Sequence, residues 1–350
     1  MTQRTWAGLL AVPLLLALWV VALVLPLPFV TYEPGVTVDV LDNADGEEII
    51  QVSGHKTYRD DGELRLTTVY VSRPESHVNL FQVMEGWIST DDAVYPRRVV
   101  YPPGETDAAS RKQGAVEMVS SQDAAIAVAL NELGIDYRQA VKIVTVDSEA
   151  PAGEELEPGD VLVAVGDDPV TTASQVEKAV LASKPGTPLA LRIERDGTER
   201  TVSVTPEERE GKPRIGIEML PSYRFPFQVS VGIDDRIGGP SAGLMFALGI
   251  YDTLSPGSLT GGDVVAGTGE ITPEGNVGPI GGIQQKIAAA REAGAELFLV
   301  PADNCREALG VATGRMELVR AATMHDVVEG LEAWVDDPDH VLPSCARAAS

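Results

Sequence analysis

Basic charge, histidine and cysteine are all scarce in this sequence, and each scarcity removes a class of function. Only 27 Lys and Arg stand against 52 Asp and Glu, a formal net charge of −25. No basic cluster or basic strip with interleaved aromatics occurs, so the surface repels phosphate backbones and nucleic acid is not an expected partner. The acidity itself reads as a solvated surface. There are four histidines, and none sits in a cluster with metal-ligand spacing. His55 and His77 lack any companions of that kind, so no metal and no cofactor is expected. No G-x-x-x-x-G-K-[ST] stretch is present, which argues against a P-loop ATPase motor. With 44% apolar and 23% charged residues over 350 positions, the chain reads as two or three folded domains rather than a disordered one.

What is present begins with a long apolar run. From Thr5 to Tyr32 there is no charged residue, enough to cross a bilayer. Arg4 precedes the run, while Glu33, Asp39, Asp42 and Asp45 follow it. The positive-inside rule then leaves residues 1–5 as a cytoplasmic tail, 6–31 as a transmembrane helix and partner of the membrane, and the remainder exported. A cleavable signal peptide is the competing reading, weakened by the length of the run and the lack of a clean A-x-A site. The two cysteines, Cys305 and Cys345, both fall late in the exported part. In an oxidising compartment they can form a disulfide that staples the tail at 336–350 to the last domain; two unpaired thiols are the alternative.

Residues 32–120 read as a strand-rich extracytoplasmic region, with alternation in ELRLTTVYVSR and a break at RVVYPPGE. The stretch SSQDAAIAVALNELG predicts an amphipathic helix stopped by Gly134. Over 121–212 the texture becomes strand, turn, strand, a helix from Thr172 to Ala182, and a hairpin turning at Asp196-Gly197. Between 213 and 335 strands and helices mix: FQVSVGI as strand, a helix after Ser241, glycine-separated strands, QQKIAAAREAGA as helix, ELFLVPADN and MELVRAATM as strands, HDVVEGLEAW as helix. The expected fold class is multidomain α+β.

Ser241 lies in GGPSAG, where a glycine-rich turn runs into an apolar helical pattern. Read alone it is a small helix-start residue or a nucleophile. Two mechanisms fit the second option unequally. Gly239-Pro240-Ser241-Ala242-Gly243 matches G-x-S-x-G, with His325 and Asp303, or else His340, as distant partners in an esterase-like arrangement. However, no strand runs straight into the serine. A serine–lysine pair needs an amine desolvated enough to be neutral. Lys286 is the one lysine after Lys212, and it lies on a helix flanked by Ile283, Ile287 and alanines; an exposed lysine on an amphipathic helix is the plainer reading of that spacing. A catalytically silent peptide-binding scaffold is the alternative from a non-enzymatic class.

Two resemblances narrow these options. Ala150-Pro151-Ala152-Gly153 and Leu156-Glu157-Pro158-Gly159-Asp160-Val161-Leu162, with the helix and hairpin that follow, resemble a PDZ domain of the bacterial protease-associated kind. That likeness implies a β-rich module that takes extended peptides at a sheet edge, although no carboxylate-gripping glycine loop precedes its first strand. Further on come Gly239-Pro240-Ser241-Ala242-Gly243, Gly267-Thr268-Gly269-Glu270-Ile271, Gly275-Asn276-Val277-Gly278-Pro279-Ile280-Gly281-Gly282-Ile283, Lys286 and Val300-Pro301. In that order they resemble the proteolytic domain of the Lon family, and the whole arrangement resembles the membrane-anchored, PDZ-containing Lon-like proteases. The resemblance implies Ser241 as nucleophile, Lys286 as general base and Thr268 as the residue holding the lysine amine. Backbone N–H groups of Gly239, Ser241 and Ala242 are then the expected oxyanion donors. It implies an ATP-independent serine endopeptidase acting on protein or peptide substrates, and, since Lon-type domains commonly form rings, a homo-oligomer. One departure is Gly238, where relatives often place an acidic residue.

Overall fold

The computed structural model describes residues 3–44, 46–209, 211–234 and 236–348, apart from the side chains of 3–10, 44, 347 and 348. Helix α1 (Gln3–Val24) precedes strands β1 (Phe29–Asp39) and β2 (Glu63–Val71), helix α2 (Leu80–Ile88), strand β3 (Ala93–Pro96) and helix α3 (Asp107–Glu132). The middle of the chain holds β4 (Arg138–Val146), β5 (Val161–Val165), helix α4 (Ala173–Ala182), β6 (Leu189–Arg195), β7 (Thr198–Val204) and β8 (Ile217–Arg224). The last third contributes α5 (Gly243–Leu254), β9 (Val264–Gly267), α6 (Ile283–Glu292), β10 (Leu297–Pro301), β11 (Glu317–Ala321) and α7 (Met324–Asp336).

The expected transmembrane helix at 6–31 is corrected by this arrangement. Among the described residues no helix is long and apolar enough to cross a membrane. The charge-free run is divided between two structures. Its helical part stops at Val24, ahead of Pro26 and Pro28, which cannot continue a helix. Its last residues belong to a sheet: Phe29 to Tyr32 pair with Pro96 to Ala93, and Val30 is fully buried.

One six-stranded sheet has the order β11-β10-β9-β2-β1-β3. Strands β2, β9, β10 and β11 run parallel, with Gly267 opposite both Leu66 and Leu299; β1 and β3 are antiparallel additions. The region 32–120, expected as a unit of its own, therefore supplies half of the sheet that carries the C-terminal third. The β1–β2 pairing slips between Pro34 and Thr37. At that bulge a Cβ on Gly35 would lie 2.6 Å from the backbone of Thr68, so only glycine fits.

Side-chain alternation along β10 explains how the sheet is covered. Leu297 and Leu299 join a core with Leu64, Leu66, Val265 and the buried faces of α3, α5 and α7, whereas Phe298 and Val300 pack on the other side with Ile283, Ile287 and Ala290 of α6. Both faces are apolar, as a parallel sheet between helical layers requires. Helix α5 is buried at every position but Tyr251, which makes it the central helix of its layer.

The second sheet has the order β7-β6-β5-β4-β8 and its own core of Val141, Ile143, Leu162, Leu191 and Ile193 under Val176 of α4. This module extends past the expected limit of 212 to include β8, which pairs with β4. Its hairpin turns at Asp196 and Gly197, both with positive φ (51° and 71°), as a type I′ turn demands. The predicted helix at 120–134 begins three turns earlier, because Thr106 caps it by accepting from the Ala109 N–H. Gly134, in the left-handed region at φ 68°, ends it.

Candidate active site

Parallel strands place their carboxyl ends on one edge, and two helices start above that edge. Ser241 stands two residues before α5, Lys286 lies in the first turn of α6, and Thr268 follows directly on β9. Side chains lean towards a helix's N-terminus, so Lys286 reaches back to the corner where both helices begin. There its Nζ lies 2.7 Å from Ser241 Oγ and 2.9 Å from Thr268 Oγ1. Thr268 and Lys286 are buried, with 0% and 2% exposure, and Ser241 is half-buried.

The hydrogen-bond directions follow from donor counting. Thr268 Oγ1 donates to the Ser241 carbonyl at 2.9 Å, so towards Lys286 that oxygen can only accept. The lysine gives it an N–H. In a neutral amine the lone pair is then free to receive the Ser241 O–H. Burial pulls the Lys286 pKa from 10.5 to about 7, against the weaker pull of the Glu270 carboxylate in the other direction. The positive ends of two helix dipoles beside the amine also disfavour its charged form. Glu270 itself has a raised pKa through partial desolvation and the neighbouring Glu117 carboxylate.

The backbone around Ser241 is held from several sides. Its carbonyl accepts from the Gly269 N–H at 2.8 Å as well as from Thr268. Ser121 of α3 donates to the Pro240 carbonyl at 2.9 Å, and the Gly239 N–H donates to the Gly114 carbonyl at 3.0 Å. A Cβ on Gly243 would lie 2.8 Å from both Ile271 Cγ2 and Ser121 Oγ, which is why the serine is followed by Ala-Gly. Of the three amides expected as oxyanion donors, that of Gly239 is thus already occupied. Among the described residues those of Ser241 and Ala242 have no protein acceptor.

Residues that sequence reading passed over complete the corner. Asn304, buried, pairs through its amide with both the N–H and the carbonyl of Ile280 (2.9 and 3.0 Å), fixing the Gly278–Gly282 approach to α6. Gly282 enters that helix at φ 70°, with Val69 2.8 Å from where a Cβ would sit. Ser121 and Gly114 precede the serine by more than a hundred residues and carry no local motif, so nothing in the sequence pointed to them. His325 stands elsewhere: its ring contacts Glu132 at 2.7 Å and Glu329 at 3.4 Å, and its pKa is raised by the Glu132 carboxylate. His340 lies exposed in the tail and Asp303 in a short helical turn after β10. Neither histidine forms a hydrogen bond with Ser241 among the described residues. Cys305 and Cys345 are joined in a disulfide.

Two separate parts of the chain match known protein families. Residues 235–333 match the family described as the Lon protease (S16) C-terminal proteolytic domain, and residues 116–205 match the PDZ domain family. The chain carries a Lon-family serine-peptidase domain beside a PDZ domain. Lon protease 2 of Bacillus subtilis is 36% identical over 107 residues, 31% of this chain and 18% of that protein. A Lon protease of Syntrophomonas wolfei is 29% identical over 159 residues, 44% of this chain and 19% of that one. The chain therefore spans about a fifth of the length of these curated relatives. The PDZ domain of an SdrC-like protein from Listeria monocytogenes shares 17% identity, covering 23% of this chain and 86% of that structure at a TM-score of 0.22.

Proposed function

We propose that this Lon-type domain is an ATP-independent serine endopeptidase working through a Ser241–Lys286 dyad. The observation that carries the reading is the 2.7 Å contact between Ser241 Oγ and the Nζ of a buried lysine hydrogen-bonded to hydroxyls alone. Neutral Lys286 takes the proton as Ser241 Oγ attacks the peptide carbonyl carbon. The oxyanion of the tetrahedral intermediate accepts from the Ser241 and Ala242 amides at the start of α5. Lys286 then protonates the departing amine, leaving an acyl ester on Ser241. In the second half the same amine draws a proton from water, which attacks the ester and releases Ser241. Each proton is held by a group of this chain, and no step needs nucleotide.

Substrates of extended backbone fit the second module. Strand β8 ends its sheet, α4 lies beside it, and Gly216 at its entry has φ 80°. Arg209 and Arg214 line a cavity of about 340 Å³ with Ala150, Pro151 and Gly216, a suitable seat for a carboxylate. We assign peptide recruitment to this edge by strand addition. The Cys305–Cys345 bridge favours an oxidising, extracytoplasmic location.

The test is hydrolysis of unfolded casein by the full chain and by Ser241→Ala, Lys286→Ala and His325→Ala. The first two substitutions should remove at least about a thousandfold of the rate, and the third should leave it unchanged. Activity that survives Lys286→Ala but disappears in His325→Ala overturns the dyad. Peptide binding with no hydrolysis in any form indicates a scaffold.

A further inference from the structure

Helix α3 touches both modules, and it does so with opposite faces. Towards the nucleophile, the Gly114 carbonyl receives the Gly239 N–H and Ser121 Oγ donates to Pro240, at 3.0 and 2.9 Å. Towards the PDZ sheet, Lys112 pairs with Glu218 of β8 at 3.0 Å. Asp123 accepts from Lys142 of β4, and also from Ser222 Oγ of β8 at 2.5 Å. Positions 114 and 121 are seven apart and 112 and 123 eleven apart. At roughly 100° per residue each pair shares a face, and the two faces are about opposite. Along one helix, two fastenings to the serine loop are thus flanked by two fastenings to the strand at the sheet's open edge.

The inner fastening is costly to build. Asp123 is 5% exposed and Ser222 1%, while the Lys142 side chain retains 20% exposure. Apolar packing of the same volume often stabilises as much as a buried ion pair does, so stability alone does not account for this one. Here the geometry it fixes is the position of α3 on β4 and β8. Ser121, two residues from Asp123, transmits that position to the peptide bond preceding Ser241.

We propose that Asp123, held by Lys142 and Ser222, is a positioning residue for Ser241: it seats α3 on the PDZ sheet so that Ser121 and Gly114 hold the nucleophile loop against Lys286. A chain added at the β8 edge then communicates with the catalytic corner through a single helix. The kinetic side of this inference rests on the dyad reading; its structural side does not.

Two measurements on the full chain separate these. Asp123→Asn and the milder Ser222→Ala are compared with wild type for kcat and KM on fluorescein-labelled casein, and for amide hydrogen exchange over residues 237–244. Asp123→Asn should lower kcat about tenfold, because a small misplacement of the attacking atom is expensive. KM should stay within about twofold, and the acid limb of the pH–rate profile should not move, since Lys286 keeps its surroundings. Exchange over 237–244 should accelerate by about tenfold, and Ser222→Ala should show the same pattern at smaller size. Lys142→Met should behave like Asp123→Asn, and Lys142→Arg, which retains the pair, should restore both readouts. The inference is overturned if exchange accelerates only over 138–146 and 217–224 while 237–244 and kcat stay at wild-type values. Should Lys286→Ala prove fully active, the dyad falls, yet the exchange data still decide the role of Asp123.

Discussion

Lys142 is half-buried and Lys286 buried, and the regions around them use a lysine in opposite ways. At the contact between α3 and the PDZ sheet, Lys142 meets the carboxylate of Asp123 directly. At the corner above β9, Lys286 meets the hydroxyls of Ser241 and Thr268, and a carboxylate, Glu270, acts on it only through space. A carboxylate in contact supplies the counter-charge that a buried ammonium needs, so the pair serves as a joint. Hydroxyls in contact supply no charge, so desolvation decides and the amine can give its proton up.

The largest expected effect breaks the second region. Lys286→Arg keeps a positive charge and length but places there a guanidinium that cannot be deprotonated. It should lose casein hydrolysis by about a thousandfold or more, as completely as Lys286→Ala. Retention of activity by Lys286→Arg would show that charge, not basicity, is what the corner requires.

The next effect breaks the first region. Asp123→Ala leaves Lys142 partly buried without its counter-charge, which typically costs about 3–5 kcal/mol. Denaturant unfolding measures it, and Lys142→Met in the same background should recover much of the loss because the stranded charge is gone. A cost below about 1 kcal/mol would mean that Lys142 regains water easily and the joint is loose.

How much of this contrast the sequence contained differs between the two regions. The corner was legible because its parts are short and ordered: the GPSAG turn, Thr268 after a glycine, and Lys286 after Gly281-Gly282 each carry a local constraint. The joint was not. Asp123 lies in an alternating polar and alanine-rich helix where nothing distinguishes it from a solvated residue, and its partners come 19 and 99 positions later. The same reason hid the sheet. Leu66 of β2 faces Gly267 two hundred residues further on, and parallel pairing over such a distance leaves no periodic trace. The apolar run at the N-terminus misled in the other direction, because hydropathy adds together a helix and the first strand of a sheet.

A third, smaller effect concerns stability. With a folded-state pKa of about 7 against an ordinary 10.5, Lys286 is charged in both states below pH 7, and there its burial penalty is complete. Between pH 7 and 10.5 only the unfolded chain holds the proton, so stability rises with pH; above 10.5 the penalty is gone. Lys286→Met should therefore be more stable than wild type at pH 7 by about 2 kcal/mol, after allowance for two lost hydrogen bonds. That advantage should shrink as pH approaches 10. A wild-type protein whose stability relative to Lys286→Met is flat across that window would place the proton on the Lys286 amine throughout.

The smallest effect sharpens the contrast without destroying either region. Glu270 is the carboxylate that raises the Lys286 pKa from a distance, an attenuated form of what Asp123 offers Lys142. Glu270→Gln removes that charge while leaving an exposed side chain of the same shape. Burial then acts on Lys286 unopposed, its pKa falls, and the acid limb of the pH–rate profile moves to lower pH. At pH 6, where most of the wild-type amine is protonated, kcat/KM should rise by about twofold, and at pH 8 it should not change. Movement of the limb to higher pH would mean that the net effect of Glu270 is to favour the neutral amine, the opposite of what a carboxylate charge does. The charge of a nearby carboxylate would then not be what separates the two lysines, and the difference between them would lie in geometry.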